Sequence, residues 1–358
     1  MSTDSPRTLS AIQPTGGIHL GNYLGALRNW VIDQHTTDAI YCIADLHALT
    51  VPRDPRELHE QTIELASALI SIGLDPDQCT LFVQSHNADL HTQLGWLMEC
   101  TVTVGELQRM TQFKAKGAGK QSVTGGLLTY PALMAADILV YNAERVPVGE
   151  DQRQHVELAR DAAERFNNRY GNTFVVPAAV LPPAGARVMD LEDPTRKMSK
   201  SSESANGTVY LFDDPASIEK KIRRAVTDSE NVVAFDPVNK PGVSNLLAIL
   251  GGVTDRTPEE AAVGYSSYGQ LKNDVAEAVV EALRPIQERH AALSRDSAEL
   301  LRLLDVGALK AREVGSTVVD LAKSNIGLVA SGTRAFEQLI SRSGERAASP
   351  RLGRGIER

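Results

Sequence analysis

Two closely spaced lysines give one segment of this chain a chemistry of its own. Lys197 and Lys200 lie in the stretch DPTRKMSKSSES, and each is followed closely by a serine. The proline and the serine run favour a loop over a helix or a strand. Two ammonium groups on a loop that closes over a ligand are suited to stabilising the charge of a polyphosphate. Taken alone, the same composition equally describes a solvated surface loop.

A second polar segment, QPTGGIHLGN at 13–22, lies between an apolar run and a helical pattern. Gly21 lets a ligand approach the backbone closely because it has no side chain. His19 and Asn22 are three residues apart, so both side chains can face one ligand where the helix begins. The segment matches neither the dinucleotide motif GxGxxG nor a Walker loop. It indicates either another kind of nucleotide platform or a plain strand–helix turn with a surface histidine.

The pattern of apolar residues predicts the elements that hold these segments. Continuous apolar runs at 8–12, 39–51 and 79–85 are typical of buried strands, and the amphipathic stretches between them are typical of helices. This alternation predicts a parallel sheet with helices on both faces. Ligands of such sheets bind at the carboxyl ends of the strands, beside helix N-termini, and residues 13–22 occupy such a position.

The strand pattern stops near residue 216, and helical patterns follow. The predicted fold class is therefore α/β, with a Rossmann-like parallel-sheet domain and an all-helical second domain. We place the first domain, which includes the KMSKS loop, at 1–215 and the helical domain at 216–328. Residues 329–358 form an arginine-containing tail that is expected to be disordered. The Gly- and Lys-rich segment 114–126 is predicted to be a loop.

The overall composition is that of a globular cytoplasmic protein. The 358 residues are 42% hydrophobic, and the formal net charge of −8 argues against non-specific coating of nucleic acid while allowing a local basic surface. Cys42, Cys79 and Cys100 are odd in number and fit no zinc spacing, so we expect free thiols in a reducing cytoplasm. The sequence shows no signal peptide and no membrane-spanning run, so we expect no membrane contact.

The pairing of the segment at 13–22 with KMSKS on one such fold resembles the class I aminoacyl-tRNA synthetases, whose first signature is usually written HIGH. The stretches 105–114 and 125–161 are similar to the bacterial-type, tryptophan-specific branch of that family almost throughout. The resemblance covers residues 7–328. It implies an ATP-dependent tryptophan–tRNA ligase, which activates L-tryptophan to tryptophanyl-adenylate with release of pyrophosphate. The tryptophanyl group then passes to the 3′-terminal ribose of tRNA(Trp).

Three residues of one predicted helix fit an indole ring. Tyr130, Met134 and Asp137 fall on one helix face, at spacings of four and three. Asp137 offers an anionic acceptor to the indole N–H, and the other two can line a flat slot. A buried acceptor left unpaired would penalise phenylalanine, which lacks that N–H. The alternative is an aspartate that caps the helix or pairs with a surface arginine.

The resemblance implies further site residues. Four groups are expected to serve catalysis: Gln13, Lys116, Lys197 and Lys200. ATP is expected at both signatures and at two further segments, with the set Gln13, Pro14, Thr15, His19, Gly21, Asn22, Gly149, Glu150, Asp151, Val188, Lys197, Met198, Ser199, Lys200 and Ser201. Tryptophan is expected at Asp137, Met134, Tyr130, Gln152 and His47. A satisfied core histidine is an equal alternative for His47.

The same resemblance implies the partners. Mg²⁺ is expected to arrive on ATP, with no metal caged by the protein, and the chain is expected to form a homodimer. The helical domain is expected to read the tRNA anticodon. Two groups of basic residues could contact the tRNA or could simply be solvated helix faces: Lys220, Lys221, Arg223 and Arg224, and the pair Lys310 and Arg312.

Three other interpretations stay open from the sequence. A tyrosine-specific synthetase shares both signatures, but usually carries an added RNA-binding domain. A second interpretation is a paralogue that serves as a regulator or tRNA-binding module. Damage to the signature segments would favour this interpretation, but both segments are intact. A duplicate enzyme resistant to a tryptophan analogue is compatible with Ala11 and Ala44, which stand where family members commonly have glycine and a larger aliphatic residue.

Overall fold

A parallel β-sheet organises the N-terminal part of the chain. The computed structural model describes residues 5–117, 123–149, 152–181, 187–199, 206–295 and 297–329. Five strands pair in the order β3-β2-β1-β4-β5, and every pairing is parallel. The strands are β1 Arg7–Ile12, β2 Asp38–Ile43, β3 Thr80–Val83, β4 Arg145–Pro147 and β5 Ala178–Val180. This sheet, with the helices around it, confirms the predicted fold class.

The helices fill the connections and the whole C-terminal part. The first helical stretch has a π-helical turn, Tyr23–Leu27, between α1 and α2, and a 3₁₀ turn, Gln84–Asn87, precedes α5. The α-helices are α1 Leu20–Asn22, α2 Arg28–Asp33, α3 Asp45–Ala48, α4 Pro55–Ser71, α5 Ala88–Glu99, α6 Val104–Arg109, α7 Thr111–Gly117, α8 Gly125–Leu139, α9 Arg153–Tyr170, α10 Pro215–Arg223, α11 Pro241–Thr254, α12 Pro258–Ala261, α13 Tyr268–Leu293 and α14 Ser297–Ile326.

The central strands have the composition that burial on both faces requires. Residues 39–43 of β2 are all buried, and β2 pairs with β1 from Arg7↔Asp38 to Ile12↔Ile43. Alternate side chains of a strand point to opposite faces, so a strand buried throughout must be covered by helices on both sides. Two hydrophobic clusters, one on each side of the sheet, accordingly contain alternate β2 residues, Tyr41 in one and Cys42 in the other.

The structure corrects one detail of the sequence prediction and adds two strands that the prediction did not include. The segment 114–126 was predicted to be a loop, yet α7 continues to Gly117 and α8 begins at Gly125. Residues 118–122 lie outside the described part of the chain. The Pro- and Gly-rich region after residue 176 contains β5, and β4 lies in the segment RVP. Strands of three residues are too short to show a period of two, which explains why the pattern did not reveal them.

Helix α14 covers the edge of the sheet. It packs on β3 and α5, and the α-carbon of Gly307 comes so close to β3 that a Cβ there would lie 1.8 Å from the carbonyl oxygen of Leu81. A strand edge presents unpaired backbone groups, and covering it with a helix is one way of protecting it. The last helix of the helical part, α14, therefore packs against the sheet. The domain boundaries given above stay predictions.

Helices are the regular elements of the described chain beyond Pro215. None of the helices within the described ranges combines the length and the apolar composition needed to cross a membrane. Residues 330–358, which include nearly all of the predicted tail, are outside the described part.

Candidate active site

The strand order locates a crevice in the sheet. From β1 the chain crosses to β2 on one side, whereas β4 lies on the other side of β1. At such a reversal of strand order the loops after the two strands diverge and leave a ligand-binding crevice at the carboxyl ends. The segment from Gln13 follows β1, and the segment from Val148 to Gln152 follows β4. Gln13 in the first segment, and Gly149 and Gln152 in the second, are among the site residues that the family resemblance implies.

The first signature folds as the start of a helix. His19 is the N-cap of α1: its Nδ1 accepts a hydrogen bond from the Asn22 backbone N–H at 3.2 Å, and Asn22 Oδ1 accepts from the His19 backbone N–H at 3.3 Å. This reciprocal capping satisfies donors that a helix start leaves unpaired. A Cβ at Gly21 would lie 3.1 Å from the His19 ring and 3.5 Å from Met198 Cβ. The two signatures thus meet at Gly21.

The second signature begins in a short antiparallel turn. Met189 and Lys197 form an isolated β-bridge, and the Met198 backbone N–H donates to the Val188 carbonyl oxygen at 3.1 Å. Val188 and Met198 are buried, whereas Lys197 is exposed. This turn, residues 188–198, is called the signature hairpin below. It holds an apolar methionine inward and leaves the first ammonium group facing outward.

One side chain of helix α11 makes hydrogen bonds to the base of the signature hairpin. Asn245, only 3% exposed, accepts from the Met189 backbone N–H at 2.8 Å and donates from Nδ2 to the Met189 carbonyl oxygen at 2.9 Å. An asparagine amide used in this way replaces the neighbouring strand of a sheet. A cavity of about 1070 Å³, lined in part by Leu24, Arg28 and Thr195, lies behind this contact. The hairpin therefore has open space beside it, and the Asn245 amide links its base to α11.

A buried carboxylate lies near the ends of β2 and β3. Asp137 on α8 is 4% exposed, and its oxygens are close to three donors. Oδ2 accepts from His47 Nε2 at 2.6 Å, while Oδ1 accepts from Gln84 Nε2 at 2.8 Å and is 2.6 Å from His91 Nδ1. His47 follows β2 and Gln84 follows β3, so the sheet brings both to α8. We call these four side chains the Asp137 cluster.

The cluster keeps Asp137 ionised. Burial by itself would raise the pKa of this carboxyl, but the His47 imidazole beside it and the hydrogen bonds from His47 and His91 outweigh burial and lower the pKa to about 2. Three donors leave this carboxylate with the capacity to accept one further N–H donor, and a charged acceptor makes a strong hydrogen bond. The alternative in which Asp137 pairs with a surface arginine does not describe this environment.

Aromatic and apolar groups border the Asp137 cluster. Tyr130 lies edge-on to His47, with ring centroids 6.4 Å apart, and its hydroxyl is 2.8 Å from His155 Nε2. Burial raises the pKa of Tyr130 to about 12, so its hydroxyl stays protonated at neutral pH. Met134 is half-buried on the same helix. Tyr130 and Met134 are thus partly buried side chains of the same helix as Asp137, and Tyr130 contacts its partner His47.

The structure brings some predicted residues together and leaves others outside. His47, Tyr130 and Asp137 form one group, and the signature residues His19, Gly21 and Met198 form a second. Asn22 lies in α1 with the signature group, and Met134 lies on α8 with Asp137. The remaining described candidates lie on the loops after β1 and β4, on the signature hairpin or directly after it: Gln13, Pro14, Thr15, Gly149, Gln152, Val188, Lys197 and Ser199. Outside the described residues are Glu150, Asp151, Lys200, Ser201 and the side chain of Lys116.

Sequence reasoning missed the groups that support the site. Gln84, His91 and Asn245 were not selected, because a single polar residue in an apolar strand end or helix gives no periodic signal. Their partners are distant in sequence, and only the fold brings them together. The one available hint is the type of residue, since a buried glutamine or histidine requires hydrogen-bond partners.

Several of the basic residues considered for RNA binding are engaged within the chain. Lys221 donates to Asp213 at 2.7 Å and to the Thr208 carbonyl oxygen at 2.8 Å. Lys310 donates to the Pro76 carbonyl oxygen at 2.6 Å, and Arg312 forms a bidentate ion pair with Asp89. Lys310 and Arg312 thus hold α14 against the sheet domain.

The C-terminal end of α10 also presents basic side chains to solvent. Lys220 and Arg224 are exposed, next to the internally bonded Lys221. No group of three or more His, Cys, Asp or Glu side chains is placed to hold a metal ion in the described ranges.

Comparison with known sequences gives a consistent family. The family described as "tRNA synthetases class I (W and Y)" matches residues 1–284. The tryptophan–tRNA ligase 1 of Streptomyces coelicolor is 53% identical over 329 residues, which are 90% of this chain and 97% of that protein. The similarity therefore extends over both the sheet and the helical parts.

Solved structures agree with the sequence comparison. The tryptophanyl-tRNA synthetase of Mycoplasma pneumoniae is similar with a TM-score of 0.82 and 39% identity, covering 91% of this chain and 98% of that one. The Campylobacter jejuni enzyme, described as a complex with ADP and tryptophan, gives a TM-score of 0.79 at 33% identity. It covers 90% of this chain and 100% of that one.

Proposed function

This chain belongs to the class I tRNA synthetases of the tryptophan and tyrosine family, and we propose that it is an ATP-dependent tryptophan–tRNA ligase. It activates L-tryptophan with ATP and transfers the tryptophanyl group to the 3′-terminal ribose of tRNA(Trp), in the cytoplasm. The observation that carries the choice of amino acid is the buried Asp137 carboxylate, which is bonded to His47 beside the Tyr130 ring. An indole N–H is the donor that such an acceptor selects.

The first step needs positioning more than protein chemistry. A carboxylate oxygen of tryptophan attacks the α-phosphorus of ATP. The bond between the α-phosphorus and the oxygen that bridges to the β-phosphate breaks, and pyrophosphate leaves with that electron pair. The second nucleophile, a ribose hydroxyl, belongs to tRNA. The protein therefore contributes orientation and charge stabilisation. We assign binding of the triphosphate to Lys116, Lys197 and Lys200. We assign binding of the adenosine to the loop from Gln13 and to the apolar pair Val188 and Met198.

The remaining ATP contacts follow from the same assignment. The adenosine and phosphates lie along both signatures and the loop after β4, at Pro14, Thr15, His19, Gly21, Asn22, Gly149, Glu150, Asp151, Ser199 and Ser201. Gln152 lies near the amino group of tryptophan. Mg²⁺ arrives with ATP and keeps several of its waters, as this ion does when substrate phosphates hold it.

Charging of tRNA tests the whole proposal. Purified protein, ATP and labelled tryptophan are incubated with tRNA(Trp), and with tRNA(Tyr) and labelled tyrosine as the parallel reaction. The proposal expects acid-precipitable tryptophan on tRNA(Trp) and no tyrosine on tRNA(Tyr). Charging of tRNA(Tyr) with tyrosine would change the assignment to a tyrosine-specific synthetase. Folded protein that charges neither tRNA would favour a regulatory paralogue.

The Asn245 contact predicts a selective effect on ATP. In Asn245→Leu the amide pair with Met189 is lost, so the signature hairpin is held less firmly to α11. We expect the KM for ATP to rise about tenfold, which corresponds to the loss of one or two net hydrogen bonds. The KM for tryptophan should change less than twofold, because the Asp137 cluster lies elsewhere. Initial rates with each substrate varied in turn measure both constants.

Asn273→Leu is the matched control for this variant, since Asn273 is an exposed asparagine of α13. It should leave both KM values as in the wild type. Equal rises in the two KM values of Asn245→Leu would show general loosening and would contradict a specific role at the hairpin.

An exposed tryptophan supports the proposed homodimer. Trp96 on α5 is 65% exposed, on the outer side of a helix whose inner side is buried. Tryptophan is enriched at protein–protein interfaces relative to the rest of the protein surface. Trp96→Glu is expected to convert the dimer to monomers at micromolar concentration, as measured by sedimentation equilibrium. Val263→Glu, at a site 78% exposed in the helical part, should leave the dimer intact.

A dimer that persists in Trp96→Glu at the wild-type dissociation constant would place the interface on another surface.

A further inference from the structure

His91 lies behind the Asp137 carboxylate and is fully buried on α5. Its Nδ1 is 2.6 Å from Asp137 Oδ1, and its Nε2 is 2.8 Å from the Tyr141 hydroxyl. We propose that His91, held by Tyr141, is a positioning residue that fixes the Asp137 carboxylate for recognition of the indole N–H. This inference rests on the proposed function, because it concerns how the same site selects tryptophan.

The direction of the hydrogen bonds follows from the chemistry of the groups. An ionised carboxylate can only accept, so His91 Nδ1 carries a hydrogen and donates it to Asp137. In the neutral imidazole Nε2 then accepts, and the Tyr141 hydroxyl is the donor. Burial raises the pKa of Tyr141 far above its ordinary value, so this hydroxyl keeps its proton. Tyr141 therefore selects the imidazole tautomer that Asp137 needs.

The His91 ring has little freedom to turn. It stacks on Phe82 with ring centroids 6.0 Å apart, and the Tyr141 ring lies edge-on at 5.5 Å. Phe82 and Tyr141 are themselves in edge contact at 5.6 Å. A ring clamped between two fully buried aromatic side chains presents its N–H in one direction only, which is the condition for a well-oriented hydrogen bond.

The second donor to Oδ1 is equally fixed. Gln84 donates to it at 2.8 Å, and the other end of the same amide accepts from the Leu46 backbone N–H at 3.2 Å. With two donors Oδ1 is saturated. Within the described part of the chain Oδ2 receives one donor, His47, so it retains a lone pair for a ligand. His91 and Gln84 thereby hold the carboxylate so that Oδ2 is the oxygen left to accept an indole N–H.

Two substitutions, by asparagine and by glutamine, distinguish the roles of the two ring nitrogens of His91. In His91→Asn the amide nitrogen can occupy the place of Nδ1 and keep the bond to Asp137. In His91→Gln the amide reaches the place of Nε2 and Tyr141, and the bond to Asp137 is lost. We expect kcat/KM for tryptophan to fall on the order of 10- to 100-fold in His91→Gln and less than about fivefold in His91→Asn. Amino-acid-dependent ATP–pyrophosphate exchange measures both.

A tryptophan analogue distinguishes positioning from general damage. In 3-benzothienylalanine a sulfur replaces the indole N–H, so this substrate cannot use the Asp137 acceptor. The ratio of kcat/KM for tryptophan to kcat/KM for this analogue should fall at least tenfold in His91→Gln. The fall should come mainly from a higher KM for tryptophan, and the KM for ATP should be unchanged. In Tyr141→Phe the same ratio should fall by a smaller factor, because the tautomer of His91 is no longer selected.

The possible outcomes are distinct. An unchanged ratio in folded His91→Gln, or equal losses with tryptophan and with the analogue, would overturn the inference and make His91 a packing residue. Equal effects of the Asn and Gln variants would overturn it as well. Absence of tryptophan-dependent exchange in the wild type would instead refute the proposed function itself, so the two failures cannot be confused.

Discussion

Replacing Asp137 by asparagine is expected to reduce kcat/KM for tryptophan by at least 10²-fold. The amide is nearly isosteric, but it removes the buried negative charge and places an NH₂ group against the N–H donors of His47 or His91. A hydrogen bond to a charged group contributes about 1.5–3 kcal/mol, and a 10²-fold loss corresponds to about 2.8 kcal/mol. The effect should appear in steady-state exchange kinetics with tryptophan as the varied substrate.

Asp77→Asn is the appropriate control, since Asp77 is exposed and remote from the Asp137 cluster. Its kinetic constants should equal those of the wild type. A folded Asp137→Asn protein with kcat/KM within threefold of the wild type would mean that tryptophan is selected by other groups, and the assignment of the indole site would have to change.

The largest expected effect on stability comes from Gly307→Ala. The added methyl group would lie 1.8 Å from the Leu81 carbonyl oxygen, a backbone atom of β3 that cannot move away without displacing the strand. Helix α14 must shift outward, which also disturbs its contacts with α5. We expect the free energy of unfolding to fall by about 2–4 kcal/mol, in the upper range for overpacking. Urea-induced unfolding, followed by far-UV circular dichroism, measures the change.

Gly269→Ala provides the matched control. Gly269 lies in the first turn of α13, and a Cβ there would meet no atom within 4 Å. Alanine is the better helix former by up to about 1 kcal/mol, so this variant should be as stable as the wild type or slightly more so. If both variants had the same stability, the close approach of α14 to β3 would not exist in solution.

The sheet could be predicted where its strands are long and continuously apolar. The run 79–85 contains β3, whereas 8–12 and 39–51 match β1 and β2 except for the first residue of each strand, and 39–51 also includes the short helix α3. The parallel arrangement followed from the helices between the strands. The three-residue strands β4 and β5 carry no period, and tertiary pairing with β1 and with each other defines them.

The amino-acid site was predictable in part for a physical reason. Tyr130, Met134 and Asp137 lie on one helix, so their spacing already places them on one face. Gln84 and His91 come from other elements, and nothing in their local sequence indicates that both meet Asp137. The pair Asn245 and Met189 joins elements separated by more than fifty residues, which only the complete fold brings into contact.

Amino-acid-dependent ATP–pyrophosphate exchange, with tryptophan, tyrosine and phenylalanine compared separately, tests the central claim most directly. It measures the activation step alone and requires no tRNA. We predict exchange with tryptophan and exchange near background with the other two, because neither offers an indole N–H to Asp137. Exchange with tyrosine instead, or no exchange with any of the three by folded protein, would contradict the assignment.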